Sequence, residues 1–471
     1  MGQEIADSHF QAADFDAFRQ RLRRETLLLK QWFEDGFFSV GEHFIGFELE
    51  AWLVDEQAHP APINQSVLER LNDPLVVPEL ARFNLEFNGT PQRLTGAALS
   101  RLAEELERTW KRCNQLAGES NARLAMIGIL PTVAESDLNP GNMSSMLRYL
   151  ALDEQLNLLR GGSPVQIDIS GRDRLHFSHK DVMLESATTS FQIHLKVDPD
   201  QAGRFYNAAK LVSAAMVAVS ANSPYLFGAE LWEETRIPLF EQAVPVIGGE
   251  RAKRVTLGTR YIEEIFDCFA TNLECYPVLL PQLMDGSEEQ LPHLRLHNGT
   301  IWRWNRPLIG FDRQGRPHIR IEHRVVPAGP TVADAIANAA FFVGLVHTLA
   351  NQSPVPEKRL PYPLARENFY QAARHGLEAD IHWLDGRRGG LRELIQQECL
   401  GLAKTGLDNL GIDPQESQHW LGIIAERVSS GQNGASWQRA WVRRHGLDMA
   451  GLTESYLERQ ETLRPVHEWT V

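Results

Sequence analysis

Four stretches of this 471-residue sequence alternate apolar and polar residues so that chemically competent side chains share one face. In Ile45-Gly46-Phe47-Glu48-Leu49-Glu50, the two-residue period of a strand sets Ile45, Phe47 and Leu49 against Glu48 and Glu50. In Phe83-Asn84-Leu85-Glu86-Phe87-Asn88, Glu86 lies between two asparagines opposite the apolar face. Gln192 and His194 share a face in Ser190–Leu195, as do Arg320, Glu322 and Arg324 in Ile319–Val325. Trp302, Trp304 and Arg306 point together between these last two. Any one of them reads most simply as an amphipathic strand with a solvated polar face. Taken jointly they read differently, because Glu, Gln, His and Arg flanked by bulky residues suit a covered surface better than an open one. Four such strands in one sheet would line a cavity, and Gly46 leaves room for close approach of a ligand or another backbone.

Glutamates two apart on a strand, joined by a third from elsewhere, suit a hard divalent cation such as Mg²⁺, which keeps phosphate oxygens and waters as its other ligands. His194 widens the preference to Mg²⁺ or Mn²⁺. Arg306, Arg320 and Arg324 offer forked donors to phosphate or carboxylate oxygens. Carboxylates for a metal and arginines for developing negative charge are the parts that phosphoryl transfer needs.

The elements that must position these residues follow from pattern and punctuation. Phe15–Phe33 predicts an Arg-rich amphipathic helix ending at Asp35-Gly36, and His43–Val54 a strand. Ala58–Pro78 reads as a Pro-punctuated connection, Leu80–Asn88 as alternating, Gly96–Leu116 as helical, and Leu124–Leu130 as a short strand stopped by Pro131. A helix is expected at Met143–Leu159 within a polar region whose excursion, Gly161–Asp181, has no clear pattern. Thr188–Val197 is the clearest strand, and the helix Gln201–Ala221 after it stops at Asn222-Ser223-Pro224. Strands are expected at Thr300–Pro307 and His318–Val326, a helix at Thr331–Ala350, and a mostly helical remainder. The fold class is therefore α+β with a largely antiparallel sheet. The expected organisation is an N-terminal helical segment, 1–36, a catalytic core, 37–390, and a helical C-terminal segment packed on it, 391–471.

A net charge of -14 argues against nucleic acid and anionic membranes as partners, both of which require a basic footprint. The longest apolar run, read as Leu211–Val219, is too short to cross a bilayer, and Met1–Phe10 lacks the apolar core of a secretory signal. Four cysteines without a CxxC pair fit a reducing compartment, so a cytoplasmic location is expected. The sequence has no GxxxxGK[ST], GxGxxG, GxSxG or HExxH motif, which removes support for the common nucleotide folds and hydrolases. Several other features have ordinary structural readings. Ser220–Pro224 can be only a helix stop, Arg366 and Arg374 surface residues, and Arg387 and Arg388 a solvated turn, while Trp302 and Trp304 suit packing.

The strand Gly46-Phe47-Glu48-Leu49-Glu50-Ala51-Trp52 resembles the GxExE opening strand of the glutamate–cysteine ligase type 2 family, also called carboxylate–amine ligases. Five further segments are similar to family elements in the same order. They are Asn84–Asn88 around Glu86, Gln192-Ile193-His194, Ser220–Pro224, the pair Arg306-Pro307 with Glu322-His323-Arg324, and Glu367–Leu377. The resemblance implies a glutamine-synthetase-like catalytic fold, a curved antiparallel sheet holding ATP and Mg²⁺. It implies ATP-dependent amide formation, in which a carboxylate, typically the γ-carboxylate of glutamate, is phosphorylated and an amine then displaces phosphate. On this basis Glu48, Glu50, Glu86, His194 and Glu322 are expected as metal ligands. Gln192, Glu48 and Arg320 are expected at the nucleotide, and Arg306, Arg324 and Glu50 as catalytic residues. The partners would be an amino acid, glutamate first, and an amine acceptor, with a homo-oligomer left open.

Two departures separate the chain from the family pattern. Arg324-Val325-Val326 runs into Pro327 where the family carries an acidic residue, and neither the 161–181 excursion nor the tail after Gly390 has a counterpart. Cysteine is therefore not assumed as the acceptor. Two other readings follow: a non-catalytic ATP or amino-acid sensor on the same scaffold, and a phosphotransferase that stops at a phosphorylated small molecule.

Overall fold

The strand around Glu48 extends further than its motif. Twelve residues, Phe44–Asp55, form one strand, β1, buried on both faces along nearly its whole length. In this computed structural model, which describes residues 4–245 and 252–471, β1 is the spine of an eight-stranded antiparallel sheet. The chain then forms β2 (Val76–Pro78), β3 (Asn84–Asn88), β4 (Gln92–Arg93), β5 (Ala122–Ala125) and a separate hairpin, β6 (Val165–Ser170) with β7 (Arg174–His179). There follow β8 (Phe191–Val197), a small ribbon of β9 (Tyr225–Leu226) and β10 (Ala229–Glu230), then β11 (Asn305–Phe311) and β12 (Pro317–His323). The main sheet runs β11-β12-β8-β1-β3-β2. Glu48–Trp52 pairs with β3 and Ile45–Leu49 with β8, so these strands flank β1 on opposite edges.

Register decides what meets what. Glu50 stands opposite Glu86, Glu48 opposite Gln192, His194 opposite Glu322, and Glu322 opposite Arg306. A one-residue slip in any pair would turn these groups to the other face. That other face is covered by two buried helices, Ala202–Ser220 and Val332–Ala350. The ring of His323 stacks on Phe342 at 4.0 Å, and Asn305 donates to Ser213 Oγ at 3.1 Å. Val332–Ala350 is long and apolar enough to cross a membrane, unlike the shorter run singled out from sequence. It lies 83% buried inside the fold, as a core helix does.

Most expected elements are present, with informative shifts. The N-terminal helix spans Ala12–Asp35, and its buried Glu25 accepts from Leu294 N at 2.7 Å, fixing the helix Pro292–Gly299. The strand expected at Thr300–Pro307 instead begins at Asn305 and runs to Phe311, because Thr300 closes the preceding helix by donating to His297 O at 2.8 Å. The strand expected at Leu124–Leu130 spans only Ala122–Ala125. The Pro-punctuated connection contains a two-turn helix, Asn64–Leu71, burying Val67 and Leu71. The unpatterned excursion 161–181 is the β6–β7 hairpin, burying Val165, Ile167 and Ile169 on one face. C-terminal helices Leu400–Asn409 and Pro414–Ser430 pack onto Val332–Ala350. Met1–Gln3 of the N-terminal segment and 246–251 of the core lie outside the described residues.

Candidate active site

The polar face of the sheet is the floor of a cavity of about 530 Å³. Eight of the nine residues singled out from sequence as site residues line it: Glu48, Glu50, Glu86, Gln192, Arg306, Arg320, Glu322 and Arg324. The ninth, His194, sits beneath it between two of them, its Nε2 3.5 Å from Glu48 Oε1 and 3.5 Å from Glu322 Oε1. Helix Leu147–Leu159 (Arg148, Tyr149, Leu152), Phe240 and the helix Pro292–Gly299 supply the walls.

Glu48, His194 and Glu322 present ligand atoms within 4.8 Å of one another, all three buried. His194 Nε2 is buried and has no hydrogen-bond partner. Burial presses its pKa down to about 4, so the ring is neutral at physiological pH and keeps a lone pair to donate. A buried, unpartnered imidazole nitrogen between two carboxylates fits a divalent cation, with the histidine tuning the site toward Mg²⁺ or Mn²⁺.

Glu50 and Glu86 face one another on adjacent strands of the same cavity but lie outside that three-residue group. Glu50 accepts from Ser190 N at 2.6 Å and from Gln192 Nε2 at 2.8 Å. Burial raises its carboxyl to about 7, over the opposing pull of Arg324. Burial likewise raises Glu86 to about 8, with Glu48 and Glu79 adding repulsion. Carboxylates crowded this way repel one another, and a cation between them would relieve that repulsion.

The arginines divide their work unevenly. Arg306 grips Glu322 with two parallel bonds, Nε at 2.8 Å and Nη2 at 3.0 Å, and its Nη1 donates to Gly299 O at 3.2 Å. Arg324 donates to Gln192 Oε1 and, at 3.3 Å, to Glu322. Burial alone would raise the Glu322 carboxyl, but Arg306 and Arg324 hold it well below the ordinary carboxylate range. Glu322 is thus a fixed anion. Arg320 lines the same cavity with its Nε unpartnered. Of the three, Arg306 is the most occupied by protein groups and Arg320 the least.

Sequence reasoning missed Glu79, Arg148, Tyr149 and Glu185, which line one end of the cavity. Tyr149 Oη approaches Glu79 at 3.5 Å, and burial raises both carboxyls, Glu185 well above its ordinary value. Glu79 comes from irregular chain, Glu185 from the short 3₁₀ helix Val182–Ala187, and Arg148 and Tyr149 from a helix whose apolar residues fall all round it, so no periodicity marks them. The tryptophans part company: Trp302 lines the cavity, whereas Trp304 is wholly buried and donates to Glu241 at 2.8 Å. Asn222 of the Ser220–Pro224 turn is a buried hub, its N–H donating to Glu234 and its side-chain amide to Ala328 O and Tyr456 Oη, each at 2.8 Å. Pro327 pairs with Ser190 and packs by Gly128, off the cavity lining, so that departure removes no cavity group.

Residues 44–459 match the glutamate–cysteine ligase family 2 (GCS2). Among curated relatives, the "Putative glutamate–cysteine ligase 2-1" of Frankia casuarinae is 26% identical over 358 residues, 72% of this chain and 82% of that one. The protein of the same name from Frankia alni is 26% identical over 357 residues, again 72% and 82%. The fold is similar to that of glutamate–cysteine ligase from Francisella tularensis solved in complex with AMP, with TM-score 0.59 and 12% identity over 92% of this chain and 96% of that one. A bifunctional glutathione synthetase from Pasteurella multocida superposes with TM-score 0.50 at 13% identity, over 89% of this chain and 53% of that one. The curled antiparallel half-barrel with its helices is the glutamine-synthetase-like fold expected from the sequence. The chain belongs to the glutamate–cysteine ligase family 2 and is a carboxylate–amine ligase.

Proposed function

We propose that the protein uses ATP to phosphorylate a carboxylate, the γ-carboxylate of glutamate in the first instance, and joins it to an amine through the acyl phosphate. The observation that carries this reading is the buried Glu48–His194–Glu322 group at the floor of the cavity that Arg320 and Arg324 line. The carboxylate oxygen attacks the terminal phosphorus and ADP leaves; the amine nitrogen then attacks the acyl carbon, phosphate leaves, and the nitrogen loses a proton. Glu48, His194 and Glu322 would hold Mg²⁺, with Glu50 and Glu86 offering further oxygens. Bound there, Mg²⁺ supplies charge neutralisation at the phosphate oxygens.

The chain's own groups do the positioning. Arg306 fixes Glu322, and Glu50 holds Gln192, whose carbonyl oxygen in turn orients Arg324. Arg320 and Arg324 both keep an unpartnered Nε, so they are the arginines assigned to nucleotide and phosphoryl oxygens. The Francisella tularensis neighbour's complex with AMP supports a nucleotide in this cavity.

Incubation with ATP, Mg²⁺, glutamate and a panel of amines tests the reading. Phosphate release is expected only when an acceptable carboxylate–amine pair is present. ATP binding with no phosphate release under any pair would instead favour a sensor, and a stable phosphorylated product a phosphotransferase.

A further inference from the structure

A second cavity, of about 290 Å³, lies between the helices Ala202–Ser220 and Phe266–Cys275 and the loop 256–262. It holds two buried cationic side chains, Lys210 and Arg303, 2% and 5% exposed. Lys210 Nζ donates to Arg260 O at 2.6 Å and sits over the rings of Tyr206 and Tyr362, at 4.7 and 5.3 Å. Arg303 lies over Tyr276 at 5.3 Å, and its buried Nη1 has no hydrogen-bond partner. Among the described residues neither cation makes an ion pair. Asp267 and Glu274 stand half-buried and exposed on the lining without pairing to them.

Two like charges buried together without a counter-charge are costly, and a protein normally neutralises or replaces them. Burial, over the opposing pull of the Cys268 thiol and with Arg303 and Arg260 adding repulsion, presses Lys210 down to about 7. Thr256 and Thr271 bring hydroxyls to the same cavity. The loop turns at Gly258, with φ +97, where a Cβ would lie 3.0 Å from Lys210 Nζ. Glycine therefore leaves open the space directly beside the ammonium. The cavity is separate from the catalytic one but shares a wall with it. Cys268 and Arg303 line this side, while their chain neighbours Phe269 and Trp302 line the other.

We propose that this cavity is a second anion-binding site, taking the phosphate or carboxylate group of a small metabolite between Lys210 and Arg303. The assignment is independent of the reaction proposed above, since neither residue lines the catalytic cavity.

Cys275 provides a local readout, because it lines this cavity and is half-buried while Cys113, Cys268 and Cys399 are buried. The full-length protein is labelled with N-ethylmaleimide, with modification of Cys275 followed by mass spectrometry, in rising inorganic phosphate or succinate. Either anion at ten times its Kd is expected to slow labelling about ten-fold, as occupancy dictates. Protection by phosphate alone assigns a phosphate group, and by succinate a carboxylate. Lys210→Met and Arg303→Gln should each abolish the protection. Phosphate also suits the arginines of the catalytic cavity, so protection that survives in both variants would overturn the proposal. So would an unchanged labelling rate of the wild-type protein with both anions.

Discussion

His194 concentrates the chemistry of the site in one atom: a buried Nε2 with no hydrogen-bond partner, between Glu48 and Glu322. If that atom is a metal ligand, Mg²⁺ or Mn²⁺ at a hundred times its Kd should stabilise the protein by about 2.7 kcal/mol. His194→Ala should lose most of that stabilisation, read as a shift in Tm without any substrate. An equal shift in the variant would place the ion elsewhere. Glu50 makes a separate prediction through pH. Its carboxyl is raised from 4.5 to about 7, so the folded state binds a proton that the unfolded state has released across that window. Stability of chelator-treated protein should therefore fall as pH rises from about 4.5 to 7, by roughly 3 kcal/mol from this group. Urea melts at pH 5 and pH 8 should show a smaller difference in Glu50→Gln, whose amide does not titrate. A wild-type stability that rises over the interval would contradict the assignment. All nine proposed site residues were legible in the sequence, because eight sit on strands whose period marks their face and Arg324 continues that of β12 one residue past its end. Glu79 and Glu185 were not, since irregular chain and a single short 3₁₀ helix show no period.

Long strands and helices were legible where short elements and loops were not, and β1 shows why. Its alternation is continuous from Ile45 to Ala51, and pairing on both edges leaves little freedom of register. The strand expected at Thr300–Pro307 was misplaced because Thr300 and the tryptophans look extended in isolation, whereas a helix end and a buried Trp304 claim them. Asn64–Leu71 was missed because two turns between prolines give too few repeats to show a helical period. Gly46 on β1 and Gly89 just after β3 carry a testable contrast. A Cβ on Gly46 would meet no protein atom nearer than Gly89 O at 3.8 Å, so no neighbouring backbone requires a glycine there. One on Gly89 would lie 2.4 Å from the ring of buried Phe47. Gly46→Ala should change stability by less than about 1 kcal/mol, and Gly89→Ala should cost about 1–3 kcal/mol through overpacking. Denaturant midpoints separate the two, and equal losses would show that the β1–β3 edge relaxes more freely than its packing indicates.

At the scale of the molecule, the sheet depends on helices far along the chain. Helix Val332–Ala350 backs the sheet on one side and receives the C-terminal helices on the other, close enough that a Cβ on Gly406 would lie 1.9 Å from Gly344 O. One buried ion pair ties these layers together. Arg427 Nη2 donates to Asp334 at 2.7 Å, and its Nη1 to Asn338 at 2.6 Å and to Val219 O at 3.0 Å. Asp334 also accepts from Val466 N at 3.1 Å, so four segments from Val219 to Val466 meet at this pair. Both side chains are essentially inaccessible, at 1% and 0%. Such a pair adds little over an apolar replacement of both partners, but removing one leaves a buried charge and costs roughly 3–5 kcal/mol. Arg427→Met should therefore lower the unfolding midpoint of the whole chain while leaving one cooperative transition, because the stranded Asp334 lies on the helix that supports the catalytic sheet. Activity and tryptophan fluorescence should be lost together on heating. An early transition that unfolds the C-terminal helices while activity persists would instead make that segment an independent unit.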